Sequence, residues 1–147
     1  MKAVQMQPGR VFSLTMETGE PIFDTIVKFC EENGIMYGHV SLLGGIGGES
    51  KMVTGPELPI GDRTVPIVKQ VEGISEAFAF GTIAPYEGKP MIHMHGSVGR
   101  DGGSMTGCFR SGVVSWLVIE AVITEFVGSG PYRRRNEDGL MVMDIRD

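Results

Sequence analysis

The chain has 147 residues, 41 % hydrophobic and 21 % charged, the size and balance of one ordinary globular domain spanning residues 1–147. Lys plus Arg number 13 against 18 Asp plus Glu, and the resulting net charge of −5 repels a phosphate backbone, which argues against general nucleic-acid coating. No apolar run approaches the roughly 20 residues of a membrane span, and the first ten residues lack a signal-peptide pattern, so a cytoplasmic protein is expected, with no membrane partner.

Taken in chain order, residues 10–16 (RVFSLTM) alternate loosely and predict a first strand. From Pro21 the apolar spacing changes to three and four, through Ile22, Phe23, Ile26, Val27, Phe29 and Cys30, which predicts a helix. Thr18 or Gly19 is placed to cap it and Gly34 to end it. Residues 36–43 read as a strand running into GGIGG, and residues 49–53 as another short one. Residues 54–64 (TGPELPIGDRT) are dense in Pro and Gly and read as a loop. Further strands are expected at 65–71, 75–83, 91–98, 104–109, 113–127 and 140–145, with 128–138 polar and turn-rich. About eight strands with one main helix exclude the strand-helix rhythm of a doubly wound sheet. An α+β fold dominated by antiparallel pairing follows. Glycine, at 22 residues or about twice its usual share of roughly 7 %, falls between the strands and marks turns and bulges.

The strongest chemical signal is His93-Met94-His95 followed by Cys108. Residues two apart on a strand share a face at roughly 6.6 Å, so both imidazoles can converge on one ion. Arg100-Asp101-Gly102-Gly103 has the residues of a tight hairpin. A two-residue turn at Asp101-Gly102 sets His95 opposite Cys108; a turn at Gly102-Gly103 leaves Cys108 diagonal to His95, on the same face. Two nitrogens and a sulfur, with room for a water, suit Zn²⁺ best and Ni²⁺ or Co²⁺ less well. The competing account is two packed histidines and a small buried thiol.

Other features carry less. GGIGG invites a dinucleotide fingerprint, but Ser50 stands at the third glycine's place and no helix follows, so a bulged or closely approached backbone is expected. Residues 113–127 look apolar on both faces, so Glu120 within them should be partnered or protonated: a general acid/base or metal-supporting group, or an ion pair with Arg10 or Arg110. A strand apolar on both faces also needs more cover than one helix gives, which points to an oligomer interface. Arg133-Arg134-Arg135, beside Glu137 and Asp138, reads as a solvated loop, with a phosphate or nucleic-acid contact as the minority account. His39 reads as a packed core histidine, or a further ligand if its strand adjoins the H-x-H pair. Cys30, among Ile26, Val27 and Phe29, reads as core.

Gly19-Glu20 before the helix, Gly34-Ile35 after it, Leu43-Gly44-Gly45-Ile46-Gly47, Phe80-Gly81-Thr82-Ile83, Ile92-His93-Met94-His95-Gly96 and Asp101-Gly102 occur in an order that resembles the plants-and-prokaryotes conserved (PPC) domain over nearly the whole chain. The resemblance implies an α+β fold built on antiparallel sheet, a homotrimer, and a DNA-binding or transcription-associated regulatory role. Cys108 stands where that family usually places a third histidine, and a cysteine can still ligate zinc. The AT-hook of plant relatives is absent, so its DNA contact does not carry over. A more remote similarity, in fold and in its three-ligand metal arrangement, is to acetolactate decarboxylase. It implies the alternative of a metal-dependent lyase or hydrolase acting on a small anionic molecule, with Glu120, Arg100 or Arg110 assisting proton transfer or holding the anion. The cupin pattern fits poorly, since its glutamate would fall at Gly99.

Overall fold

The computed structural model describes residues 1–57 and 65–146. Its elements run β1 (Gln7–Glu17), α1 (Ile22–Asn33), β2 (Gly38–Ile46), β3 (Lys51–Pro56), β4 (Pro66–Gln70), β5 (Ser75–Tyr86), β6 (Lys89–Arg100), β7 (Gly103–Phe109), β8 (Ser115–Val127), β9 (Tyr132–Arg135) and β10 (Met141–Asp144). Eight strands form one antiparallel sheet in the order β1-β8-β2-β5-β6-β7-β3-β4, and β9 and β10 form a separate hairpin. The α+β architecture inferred from the residue pattern is the observed one. Most of the expected 54–64 loop, residues 58–64, lies outside the described residues.

The helix forms because Ile22, Ile26 and Cys30 repeat every four residues and are fully buried against the inner face of the sheet. Burial pushes the Cys30 thiol pKa up to about 11, so this cysteine is an inert core residue. Gly34 ends the helix in the left-handed region at φ 66°, its N–H donating to the carbonyls of Cys30 and Glu31. The start differs from expectation. Pro21 occupies the N-cap without a side-chain bond. The Thr18 hydroxyl instead accepts the N–H of Leu117 at 2.8 Å, so it serves a strand rather than the helix.

The core lies between α1 and the inner sheet face, where Met16, Val40, Leu42, Ala79, Met94, Phe109, Ile119, Ala121 and Ile123 meet the helix residues. On β8 the odd-numbered residues from Ile119 to Glu125 are buried and the even-numbered ones point outward. The strand is therefore one-sided within the chain, although its outer residues include Val118 and Val122. No described segment covers the equivalent positions across the sheet, where Leu43, Phe78 and Phe80 are each more than half exposed.

GGIGG is a site of close backbone approach, in line with the sequence argument. Across from Gly44 and Gly45 the register skips Leu117 and Val118, a bulge in which Leu117 takes φ 62°. A Cβ on Gly44 would collide with the Val118 carbonyl and one on Gly45 with the Trp116 carbonyl.

Candidate metal centre

The β6–β7 hairpin turns through Asp101 (φ 49°) and Gly102 (φ 76°), both left-handed as a two-residue type I′ turn requires. Arg100 then pairs with Gly103, and the ladder carries His95 directly opposite Cys108. Which face these side chains take is decided by their neighbours. Met94 and Phe109 are fully buried and face each other on the inner side, so alternation forces His93, His95 and Cys108 outward. Gly96 and Gly107 make the inner side flat enough for this: a Cβ on Gly96 would lie 2.6 Å from Phe109 Cε1.

On the outer face His93 Nε2 lies 3.0 Å from His95 Nε2, and Cys108 Sγ lies 2.9 Å from that same His95 nitrogen. All three donor atoms fall within 4.8 Å of one another. Zinc bonded at roughly 2.0–2.3 Å separates its ligand atoms by roughly 3.3–3.6 Å, inside that range, so the donor set fits such an ion in both chemistry and spacing. Both histidines are exposed and Cys108 is half-buried, which leaves the cluster open to a ligand. Partial desolvation, then the positive charges possible at His95, Arg133 and Arg110, lowers the His93 pKa and favours its neutral, metal-binding form.

The remaining candidates scatter. Glu120 is solvent-exposed on β8, opposite Thr15 and Leu43, and two strands, β2 and β5, separate its strand from β6. The expectation of a buried Glu120 is therefore corrected, and so is the proposed pairing with Arg10. Arg10 pairs with Glu125, Nε to Oε2 and Nη2 to Oε1 both at 2.7 Å. This fork, with the Arg10 N–H on the same carboxylate, holds the Glu125 pKa down to about 2. Arg100 lies five residues along β6 from His95, roughly 16 Å away, where its Nη1 donates to the Ile74 carbonyl. Arg110 immediately follows β7, close enough for its charge to act on His93.

His39 is not a core residue. It lies half-buried on the outer face, stacked on Phe80 at 5.2 Å between ring centroids, and β5 separates its strand from β6. The arginine run is not a solvated loop either: it forms β9. Arg134 Nε binds Asp144 at 2.7 Å, Arg135 donates to the Gly139 carbonyl, and Arg133 is buried. Arg133 reaches the sheet beside the cluster, with Nη2 donating to the carbonyl and hydroxyl of Thr82 at 3.1 and 2.9 Å. Thr82 stands directly opposite His93. Three consecutive arginines concealed this, because a single inward residue on an amphipathic hairpin leaves no mark in composition.

Comparison with known proteins agrees with this architecture. A PPC protein from Pyrococcus horikoshii superposes with a TM-score of 0.84 at 23 % identity, over 100 % of this chain and 99 % of its own. A metal-containing protein from Archaeoglobus fulgidus gives 0.82 at 24 % identity, over 97 % and 98 % of the two chains. A candidate DNA-binding protein from Bacteroides thetaiotaomicron gives 0.78 at 21 % identity, over 95 % and 97 %. None of the curated proteins compared with the chain matches it in sequence. The family model of the Plants and Prokaryotes Conserved (PCC) domain matches residues 3–127, and the chain belongs to that family.

Proposed function

We propose that the protein is a regulatory module that holds a metal ion, most suitably zinc, on His93, His95 and Cys108 and assembles as a homotrimer through the outer face of its sheet. The observation that supports the metal most is the meeting of two imidazole nitrogens and a thiol on one face. The Archaeoglobus relative, described as metal-containing, is consistent with it. Assembly is supported by Leu43, Phe78, Phe80 and Val122, large apolar side chains that the chain's own fold leaves uncovered on one surface. Relatives described as candidate DNA-binding proteins suggest a DNA-associated role. The acidic charge of −5 makes direct contact through this chain alone unfavourable.

A second reading, a metal-dependent lyase or hydrolase acting on a small anionic molecule, is favoured by one observation: three protein donors leave a coordination position free. A bound ion there would supply Lewis-acid polarisation of a substrate oxygen.

Elemental analysis of purified protein is expected to find one zinc, or a close substitute, per chain, lost in a His93→Ala, His95→Ala double variant. Light scattering is expected to give three times the 15.9 kDa chain mass. Metal-free protein that takes up no added zinc would refute the site. A fluorescent duplex titrated at two salt concentrations tests DNA contact, and absence of binding at low salt removes it.

A further inference from the structure

Arg133 carries a positive charge into the protein with no counter-charge among the described residues. Its residue is only 5 % exposed, and its acceptors are all neutral: the Met91 carbonyl at 3.5 Å, the Thr82 carbonyl at 3.1 Å and the Thr82 hydroxyl at 2.9 Å. Among the described residues no carboxylate pairs with it. Burying a charged group costs free energy that an opposite charge ordinarily offsets, as Arg10 does for the buried Glu125 carboxylate. Burial lowers the Arg133 pKa, yet an arginine stays charged at neutral pH.

The unpaired end is also accessible. Nε and Nη2 are used on β6 and β5, while Nη1 donates to no acceptor among the described residues. Among the described residues no buried side-chain nitrogen lacks a partner, so Nη1 is not fully buried. The residue that anchors Nη2, Thr82, is the cross-strand partner of His93, at a typical Cβ separation of roughly 4.5–5.5 Å. A dication with a single thiolate would keep net positive charge, and Arg133 and Arg110 add to it.

We propose that Arg133 and the His93, His95, Cys108 cluster together form a binding site for a small oxyanion, a carboxylate or phosphate group received between the metal's free position and the Arg133 guanidinium. This rests on the metal reading above. The arginine supplies what such a group needs, fixed N–H donors and a charge already desolvated in the free protein. Thr82 and the β9–β10 hairpin act as positioning elements that hold the guanidinium there.

The test uses full-length protein loaded with zinc or cobalt, titrated by calorimetry with acetate, with inorganic phosphate and with chloride as a spherical control. The cobalt absorption spectrum reports entry of the anion. Acetate or phosphate is expected to bind the wild type in preference to chloride, and the anion that binds identifies the ligand class. Arg133→Met is expected to weaken it roughly 10- to 100-fold and Arg133→Lys less, with metal content unchanged. Wild-type protein that holds metal but shows no oxyanion response at millimolar concentrations overturns the proposal and leaves the metal reading intact, even if both variants fail to fold. An equal response in a folded Arg133→Met protein also overturns it. Metal-free chain that binds oxyanion through Arg133 while refusing zinc would instead sink the metal reading and retain the anion site.

Discussion

Gly96, the residue after His95, offers a test in which strand propensity and packing call for opposite signs. A glycine inside a strand is ordinarily about 0.5–1 kcal/mol worse than alanine because its backbone loses more freedom on folding. Here a Cβ would stand 2.6 Å from Phe109 Cε1, 2.7 Å from the Ala79 Cβ and 2.7 Å from the Phe78 carbonyl oxygen. The Phe109 ring can tilt, but the Phe78 oxygen belongs to the neighbouring strand backbone and moves only with β5. Overpacking of this kind costs about 1–3 kcal/mol, enough to outweigh the propensity gain. Gly96→Ala is therefore expected to be destabilised by about 1–2 kcal/mol, a fall in Tm of roughly 2–8 °C for a chain of this size. Gly99→Ala is the control on the same strand. Its Cβ would meet only the Gly103 carbonyl, at 3.6 Å, so that variant should be neutral or slightly stabilised. Calorimetry and urea unfolding measure both at one protein concentration. A Gly96→Ala protein as stable as its Gly99→Ala counterpart would refute the claim that close β5–β6–β7 approach sets the hairpin and, through it, the site.

Glu125→Gln is expected to cost about 1–2 kcal/mol at neutral pH, discounted for the partial exposure of Arg10. Because the folded Glu125 pKa is lowered from 4.5 to about 2, the stabilisation is present above pH 4.5 and lost as pH falls toward 2. The gap between wild type and variant, followed by urea unfolding, should close over that window, and a constant gap would contradict the linkage. Cys108→Ser is expected to weaken zinc binding and Cys108→His to restore it. With cobalt in place of zinc, the thiolate charge-transfer band should appear in the wild type and in neither variant; its persistence in Cys108→Ser would exclude this sulfur as a ligand. Phe78→Lys combined with Phe80→Lys, both outward-facing, is expected to reduce the mass seen by light scattering to that of one chain while leaving the far-ultraviolet circular dichroism unchanged. A trimer that survives both charges would place the interface elsewhere.

Much of this molecule was readable from residue spacing, and the reasons are physical. Helix α1 announced itself because Ile22, Ile26 and Cys30 must all reach one core. The H-x-H geometry was readable because strand alternation leaves little freedom: a turn at Asp101-Gly102 or at Gly102-Gly103 keeps Cys108 on the face of His95, and the folded hairpin takes the first, which sets the two directly opposite. Strand β8 resisted for the opposite reason. Val118 and Val122 are apolar on the outward side, so alternation could not say whether Glu120 or Glu125 faced inward. Only the position of Arg10, far away in sequence, resolves it.

The arginine run shows the same limit at the site. Residues 132–135 alternate too briefly, and with too much charge, to reveal a strand. What makes Arg133 different from its neighbours is tertiary: Asp144 lies across the hairpin to neutralise Arg134, whereas among the described residues Arg133 meets only neutral acceptors, from Thr82 and Met91. Local pattern thus identified the groups able to hold a metal, because their spacing is encoded within one hairpin. It missed Arg133, a buried charge that acts on His93, because that group arrives from a second hairpin about 40 residues later, in a contact that only the folded sheet creates.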